Sequence, residues 1–268
     1  MSWFQALLLG LIQGLTEFLP VSSSGHLMIG RELLGLDVPE NLVFEVTVHC
    51  ATVLSTIIVF RKQIGKLLAG LFKFKYNDET DYILKICVSM IPVFVIGMFF
   101  KDYVESLFSS FIIVGFALLA TALLLFLSEK ITAKRNTVRS EERNGISYKQ
   151  AFIVGLGQAV AVIPGLSRSG TTIATGLLCG VRKDTVAQFS FLMVLVPVLG
   201  EAFLDVIGSD FGAASIGAGA LLAGFAAAFV SGLFACKAMI AVVKKAGLKW
   251  FALYCAIVGI AVIVSQIL

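Results

Sequence analysis

Six long apolar runs decide what this chain can become. At 42–60, 82–100, 107–127, 186–207, 213–236 and 250–268 the sequence carries too few charges for a water-facing element. Each run is long enough to cross a hydrocarbon core of roughly 30 Å, which takes roughly 17–25 residues. Charged residues make up 14% of the chain, against roughly a quarter in a soluble domain. Lipid offers the backbone no hydrogen-bond partners, so apolar spans of this length fold as helices. The expected fold is an all-α polytopic membrane protein with six transmembrane helices. The N-terminus has neither the charged start nor the small-residue cleavage site of a signal peptide, so it is expected to stay on the chain. Five widely spaced cysteines (Cys50, Cys87, Cys179, Cys236, Cys255) show no CxxC spacing and read as small packing residues.

The basic residues orient the spans. Segments 61–81, 128–150 and 237–249 are rich in Lys and Arg, whereas 31–41 and 207–212 are acidic or nearly uncharged. By the positive-inside rule the first three are cytoplasmic and the other two outside. A net charge of +4 placed this way orients the chain and gives no reason to invoke nucleic acid. Lys85, just inside its run, is expected to snorkel to the cytoplasmic surface.

Two further apolar stretches, 1–30 and 150–181, are broken midway by Pro, Ser and Gly. Lys149 and the pair Arg182–Lys183 flank the second stretch with cytoplasmic charge on both sides, so it enters the membrane and returns. Broken backbone at membrane depth is tolerated where protein or a water-filled cavity surrounds it. The two stretches also resemble each other. "GLIQGLTEFLPVSSSG" (10–25) lies over "GLGQAVAVIPGLSRSG" (155–170) at a shift of 145, matching Gly10, Leu11, Gln13, Ser22, Ser24 and Gly25 without a gap. Three spans follow each broken stretch, and an odd count turns the second half upside down. The reading is an inverted-topology repeat, 1–128 and 148–268, joined by a polar cytoplasmic linker at 129–147.

The halves differ where chemistry is concerned. Glu17, Ser23 and His26 of the first half face Val162, Arg168 and Thr171 of the second at the same shift. Serines at the start of each second half-helix suit N-caps, and free N–H groups there suit an anion. Arg168 adds a bidentate phosphate donor. Gln13 and Glu17 lie one turn apart and can share a divalent cation, Mg²⁺ or Ca²⁺, with phosphate oxygens. Ser23 or a neighbour is a candidate nucleophile, with His26 as base or acid. Structural roles compete with these. Ser24 and Ser169 suit capping equally well, and Gln13 and Gln158 suit interhelical hydrogen bonds. Intramembrane Glu17, His26 and Arg168 are too costly to bury for packing alone. Glu45 and His49, at the start of the 42–60 run, are candidates for a supporting shell.

"LIQGLTEFLPVSSSGHL" and "PGLSRSGTT" resemble the two signature motifs of the bacitracin-resistance type of undecaprenyl-diphosphate phosphatase, (E/Q)xxxE followed by PVSSxGH, and PGxSRSxxT. The resemblance extends along the whole chain in length, span count and motif order. It implies an enzyme of the bacterial inner membrane that hydrolyses undecaprenyl diphosphate to undecaprenyl phosphate and inorganic phosphate, recycling the cell-wall lipid carrier. It places the acidic, metal-binding motif on Gln13 and Glu17, the catalytic histidine on His26, and serines on Ser22 and Ser23. The phosphate-binding set falls on Ser167, Arg168, Ser169 and Thr172. The nucleophile stays open among Ser23, His26 and a water activated by Glu17. With the first hairpin entering from outside, the site is expected to open to the periplasmic face.

The same architecture suits a secondary transporter, so a lipid-carrier flippase or anion transporter is the competing class. A site that pairs a Ser/His/Glu set with an arginine favours catalysis over binding alone. A scaffold role leaves the buried charges without purpose. The substrate partner is a polyprenyl diphosphate among membrane lipids, and the small-residue run "GAASIGAGALLAGFAAA" (212–228) permits a homodimer.

Overall fold

The computed structural model describes residues 1–36, 42–107, 110–134, 143–208, 216–245 and 247–267. Residues 37–41, 108–109, 135–142, 209–215, 246 and 268 lie outside the described residues. Helices account for all regular structure among the described residues: α1 (Trp3–Thr16), α2 (Ser23–Leu33), α3 (Leu42–Leu71), α4 (Asp78–Phe99), α5 (Lys101–Leu107), α6 (Phe111–Lys134), α7 (Tyr148–Val160), α8 (Arg168–Leu178), α9 (Lys183–Gly208), α10 (Ala218–Lys245) and α11 (Lys249–Ser265).

Five of these, α3, α4, α6, α9 and α10, contain stretches long and apolar enough to cross a membrane. The sixth expected span is the shorter apolar helix α11, 17 residues long. Several helices outrun their apolar stretches. α3 continues from 60 to Leu71 and α10 from 236 to Lys245, through the basic segments. Past the hydrocarbon, Lys and Arg stems lie along the helix while their charges reach water, so nothing stops the helix at the membrane edge. For the same reason α6 runs to Lys134, into the stretch read as linker.

The broken segments fold as two helical hairpins, α1–α2 and α7–α8. With a rise of roughly 1.5 Å per residue, the 14-residue α1 covers only roughly 21 Å, too little to span. The hairpins repeat each other down to single hydrogen bonds. Ser2 and Gln5 form a capping box on α1, and Ser147 and Gln150 form the same box on α7. Gln5 Nε2 donates to Leu34 O, and Gln150 Nε2 to Cys179 O, closing each hairpin across its open end.

Each hairpin packs chiefly on a helix of the other half: α1 lies on α10, and α7 on α4. Helix α1 turns Leu9 and its small and polar residues Ala6, Gly10, Gln13 and Gly14 inward, and Trp3, Phe4, Leu11 and Leu15 outward. Inside a bilayer this is the favourable arrangement, because large apolar side chains lose nothing by facing lipid while small residues let backbones approach. A Cβ at Gly10 would meet Gly224 O at 2.3 Å, and one at Gly155 would meet Ser89 O at 2.2 Å. The small-residue run that reads as a possible self-association surface therefore serves, at Gly224, to seat α1 within the same chain.

Lys85 does not snorkel. It is 2% exposed and donates to Asp81 Oδ2 at 2.7 Å and to Arg143 O at 2.7 Å. Asp81, equally buried, also accepts from Tyr76, Tyr148 and Asn144. The aspartate one turn earlier gives the ammonium a partner nearer than water, and the turn at Arg143–Gly145 closes over both. This network joins the end of the linker and the start of α7 to α4. Lys66–Glu79, Arg143–Asp78 and Lys183–Glu129 pairs lie among the same basic segments, at the opposite end from the Arg31–Glu45 pair.

Two outcomes follow from this packing. Gly10→Ala and Gly155→Ala are each expected to destabilise the detergent-solubilised protein by about 1–3 kcal/mol, as overpacking does. Gly65→Ala, whose Cβ would enter open space, should leave the thermal midpoint unchanged. Lys85→Met is expected to cost about 3–5 kcal/mol by stranding the Asp81 carboxylate, and adding Asp81→Asn should recover most of that loss in the same melting measurement.

Candidate active site

The first hairpin breaks between Thr16 and Ser23, where Pro20 ends the helical pattern and Ser22 turns the chain. Ser22 has φ +72°, a region that side chains rarely adopt, at a cost of roughly 1–2 kcal/mol. Three bonds hold it there. Its hydroxyl accepts from Gly25 N at 3.2 Å, and its carbonyl accepts from His26 N at 3.2 Å and from His26 Nδ1 at 2.8 Å. The second break makes its turn with Gly165, φ +87°, and leaves Ser167 unstrained as the cap of α8. A proline displaced by one position between the hairpins thus moves the turn to a different residue.

The two breaks meet. Ser24 Oγ accepts from Gly165 N at 3.4 Å, and Ser169 Oγ donates to Leu19 O at 3.1 Å. Each serine, at matching positions in the repeat, bonds the exposed backbone of the opposite hairpin. Thr121 on α6 accepts from Ser167 N at 3.1 Å.

Around this junction lies an acid-centred cluster. Glu17 Oε2 accepts from Ser23 Oγ at 2.6 Å and from Gln13 Nε2 at 2.9 Å, and His49 Nε2 of α3 stands 4.0 Å away. The Glu17 side chain is 10% exposed. Glu17 and Arg168 line one cavity with Ser169, Thr52 and Thr56, backed by Phe18, Phe191, Val194 and Leu195. Carboxylate and guanidinium, one from each half, therefore face a common space with an apolar floor.

Not every residue singled out in the sequence lies there in the expected way. Ser23 bonds Glu17, not His26. The imidazole instead donates from Nδ1 to Ser22 O, and its Nε2 accepts from the Tyr254 hydroxyl at 2.7 Å, with the two rings stacked at 5.5 Å. Residues 23 and 26 share a helix face, but the short Ser23–Glu17 bond turns the hydroxyl the other way. Thr172 is fully buried, with its hydroxyl committed to Arg168 O, Ser169 O and the Ser190 hydroxyl. It fastens α8 to α9 behind Arg168. Ser22 and Ser167, both buried, spend their hydroxyls as caps.

His49 reaches Glu17 although it comes from a span, and its Nδ1 is held by Glu45 O at 2.9 Å. Glu45 in turn pairs with the buried Arg31 of α2. Tyr254 has no counterpart in the motif reading. The signal for it was a lone tyrosine inside an apolar span, where a hydroxyl needs a partner.

Fold and site together define a class: a multi-pass membrane protein whose two re-entrant hairpins place an acid–hydroxyl pair against an arginine. Residues 6–261 match the family described as bacitracin resistance protein BacA, and the chain belongs to that family. Similar proteins named undecaprenyl-diphosphatase occur in Bacteroides thetaiotaomicron, 55% identical over all of both chains, and in Parabacteroides distasonis, 54% identical over all of both chains. Another, from Christiangramia forsetii, is 48% identical over 98% of each chain.

Ser24→Ala and Ser169→Ala each remove one bond of the junction. Each is expected to lower stability by about 1 kcal/mol, read as a fall in the thermal midpoint in detergent.

Proposed function

We propose that this chain is an integral membrane phosphatase that hydrolyses undecaprenyl diphosphate to undecaprenyl phosphate and inorganic phosphate. It thereby returns the cell-wall lipid carrier to use and confers bacitracin resistance. The observation that carries the reading is the cavity shared by Glu17 and Arg168, with Ser23 bonded to Glu17 at 2.6 Å. The similar proteins named undecaprenyl-diphosphatase agree with it.

Arg168, at the first turn of α8, binds the diphosphate oxygens together with the N–H groups there. Ser23 Oγ attacks the terminal phosphorus, and its proton passes to Glu17 Oε2, already its hydrogen-bond partner. The bond from that phosphorus to the bridging oxygen breaks, and undecaprenyl phosphate leaves with the bridging oxygen. Water then cleaves the phosphoserine ester, releasing inorganic phosphate and restoring the hydroxyl. His26, held by Ser22 O and Tyr254, lies one turn along α2 from Ser23 and supplies or removes the proton of the water step. The prenyl tail lies in lipid against apolar helix faces.

Gln13 and Glu17 suit a divalent cation such as Mg²⁺ or Ca²⁺. Gln13 is fully buried and its Oε1 has no hydrogen-bond partner, so one neutral oxygen is left over one turn from a carboxylate. Hard cations accept such oxygens and fill their shell with water and substrate phosphate. When bound, the ion would neutralise diphosphate charge.

The enzyme sits in the bacterial inner membrane with its basic loops in the cytoplasm and the site open to the periplasmic side. The gathering of the basic residues Lys66, Arg143 and Lys183 at one end of the bundle supports this orientation. One observation favours the transport reading. A second cavity of about 260 Å³, lined by Gln63, Lys66, Tyr82, Asp184 and Gln188, lies farther along α3 and α9. Phe191, which lines the site with Phe18, packs its ring against those of Phe18 and Phe60.

Phosphate release from farnesyl diphosphate by purified protein separates the two. Ser23→Ala, Glu17→Gln and Arg168→Ala are each expected to lower the rate by at least about 10²-fold, and chelation of divalent ions to lower it as well. Release unaltered in all three variants points to transport, and normal turnover by Ser23→Ala alone removes the serine route.

A further inference from the structure

We infer that Tyr254 is a positioning residue for the reaction proposed above: Ser22 O sets the tautomer of His26, and the Tyr254 hydroxyl fixes the rotation of the ring and the direction of its acceptor Nε2. The inference rests on that functional reading, but its geometry is independent of it. A backbone carbonyl can only accept, so the 2.8 Å contact between His26 Nδ1 and Ser22 O puts the hydrogen on Nδ1. Nε2 is then an acceptor, and the Tyr254 hydroxyl donates to it at 2.7 Å.

The tyrosine is itself held in register. Its neighbour Cys255, fully buried, gives its thiol to Pro20 O at 3.5 Å, so α11 is fixed against the first hairpin at the break. The ring then lies nearly parallel to the imidazole, 12° between planes, which restricts rotation of both. The duplicated hairpin gives the comparison. Thr171 occupies the place of His26, and its buried hydroxyl has no partner, so packing of a hairpin does not require a polar tie at this position. The tie exists only in the half that carries Glu17 and Ser23.

A histidine serving the water step must present an unprotonated nitrogen toward the reacting group. Without the tyrosine hydroxyl, Nε2 loses its partner and the ring is held by Ser22 O alone.

The chain has only two histidines, so nitrogen-15 spectra of the full-length, histidine-labelled protein read His26 directly, with a His49→Asn sample for assignment. Wild type is expected to show the Nδ1-protonated form of His26 with Nε2 hydrogen-bonded. Tyr254→Phe, which keeps the ring and loses one oxygen, is expected to keep the Nδ1 proton, to shift the Nε2 resonance as its hydrogen bond is lost, and to lower kcat by about tenfold, part of the roughly 10²–10⁴ that a positioned acid or base supplies. KM for farnesyl diphosphate should stay within about twofold. In a His26→Ala background the same change should have no further effect on residual turnover, because the tyrosine then has nothing to position. An unchanged Nε2 resonance, an unchanged kcat, or an equal loss in the His26→Ala background overturns the inference. Absence of phosphate release by wild type would instead overturn the functional reading, while the spectra would still decide the tautomer.

Discussion

Breaking a helix inside a bilayer strands backbone groups that water cannot reach, and here each break is satisfied by the other. Ser24 takes the Gly165 N–H and Ser169 gives its hydroxyl to Leu19 O. An unpaired backbone group in hydrocarbon costs several kcal/mol, so neither hairpin is stable at that depth without its counterpart. The crossing of α1 onto α10 and of α7 onto α4 has the same effect at larger scale. Gly10 and Gly155, matched in the repeat, let these helices approach until backbones touch. Mutual support is what allows irregular chain at the depth where a lipid headgroup could be handled.

On that symmetric frame the side chains diverge. The first break holds Glu17, Ser23 and Gln13 in direct hydrogen-bond contact, and the second offers Arg168 to the same cavity. Opposite charges from opposite halves compensate across the space, which makes each less costly to bury. The capping serines, Ser22 and Ser167, keep the duplicated structural role, while position 23 and position 168 have separated into a hydroxyl and a guanidinium. The strain at Ser22 belongs to the first half alone and is held by His26 from two directions. A strained turn over-determined by its neighbours is common where geometry serves chemistry.

Much of this was legible in the sequence. The spans, the two hairpins and the shift of 145 all follow from hydropathy, from Pro and Ser placement and from residue matches that local structure preserves. Gln13 and Glu17 share a face because a helix repeats every 3.6 residues. Arg168 stands at the cap of α8 because Ser167 caps it. What was not legible depended on contacts far apart in the chain. Lys85 looked able to reach the surface, and only the turn at Arg143–Gly145 closes it in. His26 looked ready to serve Ser23, but Tyr254, more than two hundred positions later, takes its free nitrogen. Thr172 looked available to phosphate, and Ser190 of the next helix takes its hydroxyl.

The sequence by itself determined that this chain enters lipid as helices, that it does so twice over, and that its costly polar groups sit at the two breaks. Those are consequences of hydrophobic periodicity, burial cost and duplication, each a local property of the chain. The tertiary structure alone decided which polar groups meet: Ser23 with Glu17, His26 with Tyr254, Glu17 opposite Arg168. Hydrogen bonds are short and directional, and no local pattern fixes how helices from opposite halves rotate against one another until their glycines and serines have locked them together.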